Sequence, residues 1–241
     1  MRKANPDAVI DAFRERVTQS LNDWRAIDAA ILAHTRVDSL RLRRRAASDS
    51  FLALIISWEA FFSAWVVAAV NREPTAAAVR LTDQISKYAT EQLNVPDEVL
   101  SRTLLATSHL NLAAVRGILD KRGFNTAVRS HKELIEIAEQ WLAGSYKTAA
   151  LGVSSYQFCP ALIGRLVRNV FAHESDAALA EASAAARRTS VPLPFRTTTG
   201  RNFDVRAWRT YILQVPPGET APRVELFHTA LNDLARQFRT T

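Results

Sequence analysis

Three side chains within six residues supply the parts that cutting an RNA strand needs. The run Arg168-Asn169-Val170-Phe171-Ala172-His173 combines a permanent cation, a neutral hydrogen-bonding amide and a group that titrates near neutral pH. In cleavage through the ribose 2′-hydroxyl, a base takes that proton, an acid protonates the leaving oxygen and a cation steadies charge on the phosphate. Imidazole suits the proton transfers, and a guanidinium grips two phosphate oxygens without losing its charge. Such a reaction calls for no metal and no cofactor.

Spacing alone carries little weight. With 26 Arg and 5 His in 241 residues, an Arg followed five positions later by His is expected about 0.5 times by chance, and it occurs twice. The second pair is Arg223 and His228. Requiring Asn directly after the Arg lowers the expectation to roughly 0.02, since Asn fills only nine positions, and only the copy at 168 survives. On a helix, Asn169 and His173 are neighbours on one face, whereas Arg168 and His173 point about 140° apart. One copy therefore makes a poor site, and two copies related by a two-fold axis, or a helix distorted after Phe171, would make a better one.

The elements that must carry these residues read as helices. Ile10, Phe13, Val17, Leu21, Trp24, Ile27 and Ile31 recur three or four apart over residues 8–33. Arg41, Arg43, Arg44 and Arg45 precede Phe51–Val70, twenty residues whose one charge is Glu59. That stretch has the length of a membrane span with a basic flank. Glu59 near its centre, with Ser57 and Ser63, favours instead a helix buried inside a bundle, where a carboxylate must be paired, hydrogen-bonded or functional. Further helices are expected over about 75–92 and 97–120. Ser130 with Glu133 reads as a capping box for another, with Gly144 at its C-terminal cap. After a loop to Ser155 comes the helix bearing the motif, with Pro160 in its first turn, then Ala177 to Ala186. Residues 189–222 are turn-rich, with a strand expected at Tyr211 to Val215, and Val224 to Phe238 returns to helical spacing. The expected fold is all-α: a bundle over 1–186 and an irregular, partly extended, basic segment over 187–241 that ends in a helix.

Two stretches, RLVRNVFAH and RRAASDSFLALIISWEAFFSAWV, resemble the HEPN domains, in particular the bacterial group labelled RiboL-PSP, over residues 44–175. Members are all-α bundles that commonly dimerise, and many are metal-independent endoribonucleases in which two Arg-polar-x-x-x-His motifs meet across the dimer. The resemblance implies that Arg168 holds the scissile phosphate, His173 is general acid or base, Asn169 orients one of them and Glu59 supports the site. It implies a homodimer that cuts single-stranded or looped RNA to a 2′,3′-cyclic phosphate, acting as a toxin or antiviral effector restrained by an antitoxin or regulatory protein. A non-catalytic HEPN module that binds RNA or a regulatory partner is the alternative.

Composition is compatible with that reading. Net charge is +7 with a pI near 10.1, and Arg outnumbers Lys 26 to 5, which suits phosphate contacts as well as it suits a GC-rich genome. Arg187, Arg188, Arg196 and Arg201, with Arg206 and Arg209, are the candidates for guiding RNA. Arg41 to Arg45 read as a solvated face unless they flank the cleft. The lone Cys159 excludes an internal disulfide and a Cys-rich zinc site. His34, His109 and His131 lack metal-ligand spacing, His228 reads as structural, and the five tryptophans read as core fillers. MRKANPDAV has no apolar stretch of a secretory leader, so a cytoplasmic location without a membrane is expected.

Overall fold

A computed structural model describes residues 3–34, 38–96, 111–119, 128–198, 200 and 202–240. Among them the chain forms ten α-helices and one short 3-10 turn, with no strand: α1 (Pro6–His34), α2 (Ser39–Arg72), α3 (Thr75–Leu93), α4 (Leu112–Leu119), α5 (His131–Trp141), α6 (Gly144–Leu151), α7 (Ser155–His173), α8 (Asp176–Ala186), the turn Leu193–Phe195, α9 (Val205–Leu213) and α10 (Arg223–Gln237). The fold is all-α. Residues 97–110 and 120, part of the helix expected over 97–120, lie outside the described residues.

Helix α2 is the axis, packing against α1, α4, α7, α9 and α10. It can do so because its apolar residues run round the whole cylinder rather than down one stripe, so neighbours cover it from several sides. It is the one described helix long and apolar enough to cross a membrane, and 61% of its most apolar stretch is buried against the rest of the chain. An aromatic cluster joins three sequence-distant helices: Phe13 stacks on Phe61 at 4.4 Å between centroids, and Trp65 meets Phe238 at 4.7 Å. The segment after residue 186 shares this core, since Trp208, Tyr211, Phe227, Leu231 and Phe238 are all buried in it.

Several local expectations are corrected. Tyr211 to Val215 is not a strand: Tyr211 to Leu213 end α9, whose N-cap Asp204 accepts the Ala207 N–H at 2.6 Å and whose Trp208, Tyr211 and Ile212 face inward. The aromatic and β-branched composition suggested a strand, but an inward three-and-four spacing behind a capping Asp wins. Gly144 does not cap α5, which ends in the extended Leu142. It opens α6, in a stretch expected to be loop, with φ +50°, and a Cβ there would strike the Glu73 carboxylate. At α5 the Ser130 hydroxyl accepts the Glu133 N–H as expected, while the Glu133 carboxylate takes the Arg129 N–H instead of closing the box on Ser130. A full reciprocal box occurs at α7 instead, between Ser154 and Gln157. Pro160 sits in the second turn of α7, not the first.

Two features near the motif helix set testable energetics. Gly164 lets α7 approach α2 closely: a Cβ there would overlap Ile55 Cδ1 and lie 3.9 Å from Phe227 Cε1. Gly164→Leu is expected to lower stability by about 2–3 kcal/mol, read as a reduced thermal midpoint, because a well-packed core has no room for the added carbons. Unchanged melting would show that the contact between α7 and α2 is loose.

His228 is fully buried, its Nδ1 paired with the Val224 carbonyl at 2.7 Å and its Nε2 with the Ser20 hydroxyl at 3.1 Å. Burial pulls its pKa below the ordinary 6.5, outweighing the Val224 carbonyl and the Glu225 charge that favour the cation. Below pH about 6.5 the unfolded chain binds a proton at this position that the folded chain resists, so acidification favours unfolding. Denaturant midpoints of the wild type should therefore fall between pH 7 and pH 5, and His228→Gln should flatten part of that fall.

Candidate functional site

The motif sits on the last two turns of α7, with its Arg168 turned towards α2. Arg168 reaches across to Glu59 on α2, Nη2 to Oε2 at 2.6 Å, and its Nη1 donates to Asn169 Oδ1 at 2.9 Å. Asn169 thus orients Arg168, and among the described residues no side-chain hydrogen bond ties it to His173. The Arg168 and Glu59 side chains retain 28% and 16% of their exposure, so the pair is enclosed yet still reaches solvent. The guanidinium is held through both Nη atoms while its Nε is buried without a partner among the described residues, so an incoming anion would meet only the remaining Nη hydrogens.

Helix α7 runs regularly through Phe171, so it does not distort there. It ends at His173, and Glu174 turns the chain in the left-handed region, φ +47°, donating its N–H to the Val170 carbonyl at 2.9 Å. His173 is exposed, and its imidazole makes no hydrogen bond to another described residue. The sequence therefore brings Arg168, Asn169 and Glu59 into one network and places His173 at the open end of the same helix. Arg168 and His173 leave the helix in directions about 140° apart, so one subunit does not aim both at a single point.

At Phe171 on the same helix lies a cleft of about 270 Å³ lined by Arg45, Ser48, Asp49, Leu52, Phe171 and Arg209, with none of Arg168, Asn169, His173 or Glu59 in its wall. Arg209 also approaches Glu174 at 3.7 Å, so α9 closes on the residue after His173. Arg45 thus flanks a cleft at the motif. Arg41 and Arg43 do not share it: they pair with Asp38 and Asp28, the latter through two bonds of 2.6 and 3.0 Å, while Arg45 lies 3.9 Å from Asp49 within the cleft wall. The signal for this cleft was present in the basic run in the first turns of α2, but only the tertiary approach of α9 joins Arg45 to Arg209.

The other expected RNA-binding arginines divide. Arg188 lines a cavity with Cys159 and Val191, and Arg196 lines one with Tyr211 and Arg223; unlike the cleft at Phe171, neither cavity is lined by any residue of the 168–173 run. Arg187 donates to Asn202 Oδ1 at 3.2 Å. Arg201 lies outside the described residues, as does His109. His131 pairs with the Val153 carbonyl at 2.6 Å, and burial pushes the Cys159 thiol up to about 11, which makes it a poor nucleophile. Among the described residues no three His, Cys, Asp or Glu side chains come together as metal ligands.

No protein-family model, no curated protein and no solved structure matches the chain.

Proposed function

We propose that the protein is a homodimeric, metal-independent endoribonuclease of HEPN type that cuts single-stranded or looped RNA by 2′-hydroxyl attack. The observation that carries this reading is the Arg168 guanidinium, fixed by Glu59 and Asn169, on the same helix as an exposed and unengaged His173. Arg168 takes two oxygens of the scissile phosphate. His173 of the other subunit moves the proton, which resolves the angular mismatch within one copy. Unpaired RNA suits such a site because in-line attack needs a flexible backbone.

Support for pairing comes from α2. Leu52, Ala53, Ile56 and Ala60 form an apolar strip on its outer side, with Ile56 57% exposed one turn before Glu59. A second copy seated there would bury that strip and bring two motifs together. The cleft offers an approaching strand Arg45 and Arg209, each of which would exchange a loose, solvent-exposed carboxylate partner, Asp49 or Glu174, for a phosphate. An enzyme of this kind injures its own cell, so a toxin or antiviral role under an antitoxin or regulatory partner, in the cytoplasm and off the membrane, completes the proposal.

One observation favours the second reading, a non-catalytic HEPN module. Glu59 already neutralises Arg168, as a purely structural ion pair between α2 and α7 would. Labelled RNA incubated with the purified protein in EDTA separates the two. The enzyme cuts it, and Arg168→Ala binds RNA but cuts poorly. Binding without cleavage, unaffected by Arg168→Ala, would support the module.

A further inference from the structure

On the side of the molecule built by the 193–198 segment, α9 and the 214–217 loop lies a cavity of about 430 Å³. Two guanidiniums line it, Arg196 and Arg223, together with the side chains of Thr197, Thr198, Phe203 and Tyr211. Arg223 is 6% exposed and sits in the first turn of α10, where the helix dipole disfavours a cation. Its Nε donates to the Pro194 carbonyl at 2.7 Å and its Nη1 to the Tyr211 carbonyl at 3.3 Å, while the guanidinium carbon lies 4.2 Å above the Tyr211 ring. Nη2 has no acceptor, and no carboxylate pairs with Arg223 or Arg196, among the described residues.

A buried cation without a counter-charge is costly, and neutral carbonyls and a ring offset that only in part. Burial lowers the Arg223 pKa, opposed only by Tyr211, and burial in turn pushes the Tyr211 phenol up, so that phenol stays neutral and supplies no anion. What would complete the site is an external anion that fills the remaining fork of Arg223, meets Arg196 and accepts from the threonine hydroxyls. Leu193, Phe203, Val215 and Pro217 make the remaining wall apolar. The volume suits a small molecule.

We propose that this cavity is a binding site, separate from the Arg168–His173 region, for a phosphate group carried on an apolar or aromatic body. The carrier is a small phosphate monoester or the end of a nucleic-acid strand, which share this chemistry. The proposal does not depend on nuclease activity.

Calorimetric titration of the full chain with phenyl phosphate, inorganic phosphate and phenol tests it. Phenyl phosphate should bind most tightly, inorganic phosphate more weakly and phenol least. Arg196→Ala should weaken phenyl phosphate about tenfold or more while melting like the wild type, because the Arg196 side chain bonds no other described residue. Arg223→Lys, which keeps the charge but loses the fork, should weaken it further. Lys132→Ala, an exposed cation elsewhere, should change nothing. A 5′-phosphorylated oligoribonucleotide that competes, with the same dependence on Arg196, while its unphosphorylated form does not, would assign the carrier to the end of a strand; failure of both to compete assigns it to a small monoester, and equal competition by both would overturn the assignment to a terminal phosphate. No binding of either phosphate at millimolar concentration, or binding indifferent to Arg196→Ala, would overturn the proposal.

Discussion

Exchanging His173 for alanine is expected to slow RNA cleavage by about two to four orders of magnitude, the usual worth of a positioned proton-transfer group. The side chain is exposed at the end of α7 and holds no part of the fold together, so the thermal midpoint should stay within about 1 °C of the wild type. That separation makes the variant informative, since a loss of activity cannot then be assigned to unfolding. Arg168→Ala should cost about two to three orders of magnitude by removing charge stabilisation at the phosphate. It also leaves Glu59 without its cation, so a modest loss of stability accompanies it. Combining both changes in one subunit should cost little more than either alone, because groups acting in one step are not additive. Mixing the two single variants should restore some activity if the site is built across a dimer, since half of the sites in a mixed dimer then combine intact groups.

Phe238→Ala is the second large effect, expected to destabilise by about 3–5 kcal/mol in equilibrium denaturation, the range for deleting a buried aromatic side chain. Phe238 is fully buried at the end of α10 and touches the rings of Trp58, Phe61, Phe62 and Trp65 on α2. A chain ending at residue 222 should fail to fold cooperatively, for the same reason on a larger scale. It would bare Phe51, whose ring meets Phe227 at 5.0 Å, along with the aromatic cluster around Trp65. A truncated protein that melts like the full chain would show that the C-terminal helices are dispensable. Activity should follow stability here, since α2 and α7 lose their common support from α10.

The helices were legible where an apolar period was long. The spacing from Ile10 to Ile31 located α1, and the charge-poor run from Phe51 to Val70 located the buried axis, though not the turns that extend it back to Ser39. Short elements were less legible. α6 carries no amphipathic pattern, and α9 is rich in residues that also suit strands, so its capping Asp204 was the better guide. The candidate site was partly legible: the Arg168-Asn169-His173 run stood out by chance arithmetic, and a lone carboxylate in an apolar helix had to be paired. That Glu59 meets Arg168 is a fact of helix packing, 109 residues apart in the chain. Arg196 looked like a cation in a loose basic tail. Its place beside the buried Arg223 depends on how the 193–198 segment folds over α9 and the start of α10, which no local pattern encodes.

The measurement closest to the central claim is single-turnover cleavage in EDTA of one labelled unpaired RNA and of the DNA strand of the same sequence. The predicted result is that the wild type cuts the RNA, leaves 2′,3′-cyclic phosphate ends and spares the DNA, while His173→Ala leaves both intact. Equal cleavage of RNA and DNA, or undiminished cleavage by His173→Ala, would contradict it.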